Sequence, residues 1–169
     1  MKTAIFAAGC FWGVQYYMNA AIGVIETKVG FIGGFKKDPT YEEVKAQSTG
    51  HYEAIKVDYD EDKTSFIDLC KLFFEIHDPA QTDGQGPDIG LQYRSAIFYL
   101  NDQQKKEALE VIKILTSKGH KVKTLLKPAA GDEFSENVFT KFWIAENYHQ
   151  DYYEKNGNKP YCHFRTPKF

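Results

Sequence analysis

The chemistry in this chain begins at Gly9-Cys10-Phe11-Trp12-Gly13, where a thiol precedes two large aromatic rings and a glycine stands on each side. The apolar run 4–8 before it reads as a buried strand, and residues 14–18 after it read as the start of a helix. A cysteine at such a junction lies near unpaired backbone N–H groups and the positive end of a helix dipole, which favour the thiolate. A cysteine taken alone is more often a small buried hydrophobe. Two features favour a reactive thiol here. The glycines let backbone crowd the sulfur, and Trp12 is costly to place unless its ring lines something.

A second group is Glu53. Residues 51–59 alternate at period two, with Glu53, Ile55, Val57 and Tyr59 on one face and Tyr52, Ala54, Lys56 and Asp58 on the other. Lys56 and Asp58 mark the solvent side, so Glu53 falls on the apolar side. It is either a carboxylate whose head reaches water at the strand's edge or a desolvated acid with a raised pKa. The pattern alone does not choose between them.

The remaining cysteines differ in setting. Cys70 lies in a stripe with Phe66, Leu69 and Phe73, spaced for one face of a helix over 64–77, and reads as inert core. Cys162 lies in an irregular, loose tail that carries two prolines. Three widely spaced cysteines make no disulfide framework, and His51, His77, His120, His149 and His163 do not fall at metal-ligand spacing, so no metal is expected.

The elements that must hold these groups read as follows. A strand is expected over 22–31, ending at Gly33-Gly34. Thr40 and Glu43 form a capping box that starts a short helix, with Tyr41 on its first turn. After the helix over 64–77, residues 80–92 form a polar loop containing Asp88, long enough to be functional. An aromatic strand over 92–100 includes Tyr93. An amphipathic helix over 102–118 ends at Gly119. A strand over 122–126 follows, and a last short helix over 146–153 precedes the tail.

The chain's 169 residues suit a single domain, 1–169, with residues 156–169 as its tail. A net charge of −2 with scattered basic residues gives no electrostatic grip on nucleic acid or an anionic membrane. No apolar run approaches the roughly 20 residues of a membrane span. The run 4–8 also falls short of the roughly 7–15 residues of a signal-peptide core. A cytoplasmic monomer is the expectation, in a compartment where structural disulfides are rare.

A thiolate, a buried acid, phenol hydroxyls and a second thiol suit a substrate with a polar oxygen on an electrophilic centre beside a small apolar group. The motifs resemble those of the A-type peptide methionine sulfoxide reductases over nearly the whole chain. The match runs through Gly9-Cys10-Phe11-Trp12-Gly13, Pro39-Thr40-Tyr41, Thr49-Gly50-His51 with Glu53, and Phe73-Phe74-Glu75-Ile76-His77-Asp78-Pro79. It continues through Gln92-Tyr93-Arg94-Ser95-Ala96-Ile97 and Tyr148-His149-Gln150-Asp151-Tyr152. The resemblance implies a two-layer α+β sandwich, a ferredoxin-like core with elaborations, and an irregular C-terminal coil over the site. It implies that Cys10 is the nucleophile, Glu53 the acid, and Tyr41 and Tyr93 the holders of the oxygen. Phe11 and Trp12 would recognise the methyl group, Asp88 would lie near the site, and Cys162 would resolve the oxidised Cys10 as a disulfide. It further implies the S epimer as substrate, thioredoxin or a similar dithiol as reductant, and no bound cofactor.

The chain departs from the family at Lys45, where many members have cysteine, and at Gln47, where many have glycine. It has one tail cysteine where some members have two, so one resolving step is expected. A cysteine hydrolase pairing Cys10 with His51 or His149 is a rival. A thiol peroxidase, which has no use for a methyl pocket, is another, and a binding module leaves Glu53 unexplained.

Overall fold

The computed structural model describes residues 1–131 and 134–169. In chain order its elements are β1 (Lys2–Ala8), α1 (Phe11–Asn19), β2 (Val24–Ile32), α2 (Tyr41–Lys45), β3 (Tyr52–Tyr59), α3 (Phe66–Glu75), β4 (Gly84–Gln85), β5 (Asp88–Ile89), β6 (Ser95–Tyr99), α4 (Asp102–Ser117), β7 (Leu125–Pro128), β8 (Trp143–Ile144) and α5 (Tyr152–Asn156). Two 3-10 turns lie at Leu91–Tyr93 and Asn147–His149.

Six strands form one sheet in the order β7-β6-β1-β3-β2-β8, and β4 and β5 form a separate hairpin. The apolar run at the start of the chain is β1, flanked by antiparallel β3 and β6. Its residues Ala4 to Ala8 are buried whichever face they point to, so the run shows no polar alternation. Only the β6–β7 pair is parallel among the pairings described, and α4 forms its crossover.

Helices α1, α3 and α4 cover one face. Val14 and Met18 of α1, Leu69 and Phe73 of α3, and Val111 and Leu115 of α4 pack with Phe6, Phe31, Ile55 and Val57 of the sheet. Each such large side chain contributes roughly 1.5–3 kcal/mol on burial. Cys70 belongs to this core, as its stripe predicted. The two-layer α+β arrangement that the family resemblance implies is the one observed.

The other face of β3 is not the solvent side its pattern indicated. Tyr52 and Ala54 are buried in a second, smaller cluster with Ile5, Ile32 and Phe98. Lys56 and Asp58 lie farther along the strand and are only partly covered, so two charges at one end masked an apolar patch at the other.

Local signals set the helix ends. The Thr40 box forms as predicted: Glu43 N–H donates to Thr40 Oγ1 at 3.2 Å and Thr40 N–H to Glu43 Oε2 at 2.9 Å. Ser65 caps α3, accepting from Asp68 N–H at 3.1 Å. Gly119 takes a φ of +89° after α4, where a side chain would be strained.

Three expectations change. Tyr93 lies on a 3-10 turn, and β6 starts only at Ser95. The expected helix over 146–153 is interrupted between Asn147–His149 and Tyr152–Asn156, where Asp151 adopts a left-handed φ of 55°. Residues 158–169 are irregular but are not a loose tail. Thr166 N–H donates to Glu75 O at 2.8 Å, Lys168 N–H to Glu75 Oε2 at 2.9 Å, and Arg165 Nη2 to Glu75 Oε1 at 3.2 Å. Lys168 Nζ donates to Phe74 O and His77 O. The tail thus supplies donors to carbonyls that the end of α3 leaves open, and places a cation at the negative end of the helix.

Candidate active site

The thiol at Cys10 is placed by a sharp turn between β1 and α1. Gly9 makes it with a φ of +91°, and a Cβ there would come within 2.6 Å of Gln85 Cβ. The crowding that the flanking glycines permit comes from the β4–β5 hairpin at Gly9 and from the tail at Gly13, where a Cβ would collide with His163 Nδ1. Cys10 directly precedes the first helical turn. Only 6% of it is exposed, and Cys162 is 7% exposed.

The two sulfurs and a carboxylate oxygen of Asp88 all lie within 4.8 Å of one another. Hydrogen bonding to Cys162, then burial, push the Cys10 thiol well above its ordinary range, and the charges of Cys162 and Asp88 add to this. The Trp12 N–H acts in the opposite direction and is outweighed. The helix start therefore does not make a resting thiolate; Cys10 rests as a thiol. Among the described residues this trio is the cluster with the reach to ligate a metal, but a protonated Cys10 is a poor ligand until it gives up its proton.

Glu53 extends from β3 beneath the first turn of α1. It is 2% exposed, and its Oε1 accepts the Phe11 N–H at 3.2 Å. Burial holds its carboxyl well above the ordinary range, reinforced by Cys10 and Asp88; the Phe11 hydrogen bond opposes this without prevailing. Of the two readings open from the pattern, the head that reaches water is ruled out: the carboxyl is buried.

Tyr41 starts α2, and Tyr93 ends the 3-10 turn before β6. Burial is the first cause that raises both phenols, and the Glu53 charge is the second. Cys10 also raises both. Two neutral O–H groups thus share the field of the thiol and the acid. Asp88 sits on β5; Tyr161 of the tail donates to its Oδ1 at 3.2 Å, while its Oδ2 is buried without a partner among the described residues.

The two rings after Cys10 separate in depth. Phe11 is 1% exposed and packs on Phe31 and Tyr41, with centroids 5.7 and 6.3 Å away. Trp12 is partly exposed and stacks on Tyr152 at 3.8 Å, 8° from parallel. Beside it runs a groove of about 370 Å³ lined by Trp12, Gln15, Tyr16, Tyr152 and Tyr153.

His149, considered from the sequence only as a base for Cys10, and Tyr152, quoted only within a motif, join the site as partners of Trp12. His149 Nδ1 accepts from Trp12 Nε1 at 3.0 Å, and its ring lies 4.3 Å from that of Tyr41. Tyr161 and His163, the neighbours of Cys162, are also brought in; their adjacency to that thiol was the available signal. The hydrolase arrangement is absent. His51 is held by Gly34 N–H and Lys36 O, and His149 by Trp12, so neither bonds to Cys10.

A buried pair of thiols, a neutral carboxylic acid and two phenol donors on an α+β sandwich define a thiol-dependent oxidoreductase acting on an oxygen-bearing centre. The sequence profile of "Peptide methionine sulfoxide reductase" matches residues 2–169. The peptide methionine sulfoxide reductase MsrA of Nautilia profundicola is 42% identical over 162 residues, spanning 96% of this chain and 88% of that one. The reduced form of Mxr1 from Saccharomyces cerevisiae superposes with a TM-score of 0.83 at 33% identity, covering 97% of this chain and 91% of that one. Mxr1 in complex with Trx2 shares the fold at a TM-score of 0.56 and 23% identity, covering 86% of this chain and 90% of that one. The chain belongs to the peptide methionine sulfoxide reductase family and is an oxidoreductase that uses thiols to reduce methionine sulfoxide. None of the helices in the described residues is long and apolar enough to cross a membrane.

Proposed function

We propose that the protein reduces the S epimer of methionine sulfoxide, free and in oxidised proteins, with Cys10 as nucleophile and Glu53 as acid. The observation that carries this reading is the buried Glu53 carboxyl, tied to the amide after Cys10 and kept protonated by its surroundings. A neutral acid donates a proton to the sulfoxide oxygen, while the Tyr41 and Tyr93 hydroxyls hold that oxygen. As sulfur becomes electrophilic, the Cys10 thiol passes its proton to the Glu53 carboxylate and its sulfur bonds to the substrate sulfur. The hydroxyl then passes from the substrate sulfur to Cys10 as the S–O bond and the bond between the two sulfurs break, methionine leaves, and Cys10 carries the oxygen as a sulfenic acid.

Trp12 forms the open wall against which the substrate methyl packs, Phe11 backs it from the core, and Asp88 lies beside the two thiols. Cys162 then condenses with the sulfenic acid, releasing water and leaving a Cys10–Cys162 disulfide. The separation of the two sulfurs, within 4.8 Å, supports that step. A dithiol of the thioredoxin type restores both thiols. No metal or cofactor enters a step. One chain, 1–169, supplies every group, with 156–169 carrying the resolving thiol, so we read the working unit as a monomer. Three free cysteines fit the reducing cytoplasm.

The test is turnover of the separate epimers of an aryl methyl sulfoxide with dithiothreitol as reductant. Consumption of the S epimer is expected. No turnover, or turnover of the R epimer alone, overturns the proposal.

A further inference from the structure

We propose that His163 is the general base that takes the proton from Cys162 as that thiol attacks the Cys10 sulfenic acid. The inference rests on the reading of Cys162 as the resolving thiol. Its evidence is the setting of the imidazole. His163 Nδ1 lies 3.0 Å from Cys162 Sγ, and Nε2 lies 2.6 Å from Ala8 O on β1. A carbonyl oxygen only accepts, so Nε2 carries the hydrogen, and in the neutral ring Nδ1 presents its lone pair to the thiol.

The slot for this ring is built into the fold. The ring is 1% exposed and packs against Gly13 on α1, where any Cβ would collide with Nδ1. Tyr17, one turn further along α1, donates its hydroxyl to His163 O at 3.2 Å and anchors the backbone. The titratable groups around the imidazole are Cys162 and, beyond it, Cys10, Asp88 on β5 and His77 after α3. Burial lowers the His163 pKa, which keeps the ring neutral and ready to accept a proton. Asp88 acts in the other direction and favours the imidazolium once it forms.

The step balances within the protein. The Cys162 S–H proton passes to Nδ1, Cys162 sulfur bonds to Cys10 sulfur, and the Cys10 S–O bond breaks. The departing oxygen takes the proton from the imidazolium and leaves as water. The sulfenic acid is the oxidant and is reduced to the disulfide level as Cys162 is oxidised to it. An unassisted cysteine thiol, with a pKa of about 8.5, is only about 3% thiolate at pH 7, which leaves the attack room for assistance.

The test follows bridge formation after fully reduced protein is mixed with one equivalent of methyl p-tolyl sulfoxide, with no reductant, by acid quench and peptide mapping. The wild-type protein must form the Cys10–Cys162 bridge; if it does not, the resolving role of Cys162 fails and the base has no substrate. His163→Asn keeps an acceptor for the thiol but takes no proton near neutrality. Its bridge formation is expected to be about 10²-fold slower at pH 7, with sulfenic acid trapped by dimedone. That rate should climb about tenfold per pH unit from pH 6 to 8, while the wild-type rate changes little. A wild-type rate in His163→Asn, or a slow rate indifferent to pH, overturns the proposal. A second arm uses His163→Gly with added imidazole, which should restore bridge formation; absence of rescue counts against a base.

Discussion

The amide of Phe11 donates to Glu53 Oε1 at 3.2 Å, so the acid on β3 is coupled to the residue that follows the reactive thiol. Glu53→Gln keeps an oxygen for that amide and removes the transferable proton. We expect kcat for sulfoxide reduction to fall about 10²–10⁴-fold with KM little changed. A raised KM with kcat retained would make Glu53 a binding residue.

The same substitution has a signature in stability. Glu53 keeps its proton in the fold well above the ordinary value of 4.5, and loses it in the unfolded chain once the pH exceeds that value. Folding therefore binds a proton in the window between the two values, and stability falls as pH rises through it. Glu53→Gln removes this loss. Its Tm should exceed that of the wild type at pH 7, with the gap closing below pH 4; equal gaps at both pH values would show that Glu53 is ionised in the fold.

The three cysteines should separate cleanly. Cys10→Ser should abolish turnover. Cys162→Ser should release one equivalent of methionine per protein and then stall as a sulfenic acid when thioredoxin is the reductant. Cys70→Ser buries a hydroxyl in the helix–sheet core and should cost about 1–3 kcal/mol of stability while activity per folded molecule is kept. Chemical denaturation and peptide mapping check these outcomes, and a bridge involving Cys70 would contradict them.

Tyr41 and Tyr93 lie in the same electrostatic field, so their hydroxyls should back each other up. Each single change to Phe should lower kcat/KM by about tenfold, the value of one hydrogen bond. The double variant should lose more than either, and the coupling between them, read from a double-mutant cycle on the S epimer, should be non-zero.

Glu75 holds the tail through both of its carboxylate oxygens. Glu75→Ala leaves the Lys168 N–H without that acceptor and should weaken tail docking by about 1–3 kcal/mol. Faster amide exchange over 164–168 and slower bridge formation are the expected readouts. Unchanged protection there would show that the tail is held elsewhere.

Signals that live in a few consecutive residues were legible from the sequence: the Thr40–Glu43 box, the Cys70 stripe, the placement of Glu53 on an apolar face and the junction at Cys10. The resemblance to a known family then directed attention to Tyr41, Tyr93 and Cys162. What stayed hidden depends on contacts across the chain. His163 meets Ala8 and Gly13, Gln150 bonds Val29, and Lys168 reaches the end of α3. No local spacing encodes such pairs, so a proline-containing tail read as loose. The depth separation of Phe11 and Trp12 was equally invisible, because adjacent helical residues point about 100° apart and only the packed sheet decides which one goes inward.

The near-complete enclosure of both sulfurs has a kinetic consequence for recycling. An external dithiol must make an in-line approach to one sulfur, and with the coil seated Cys10 is 6% and Cys162 7% exposed. We expect the coil to act as a latch that lifts before each regeneration. Turnover should then rise with reductant concentration only to a plateau, and the height of that plateau is the opening frequency of the latch, independent of which dithiol is supplied. The strength with which Glu75 grips the chain terminus would thus set the speed limit of the whole cycle.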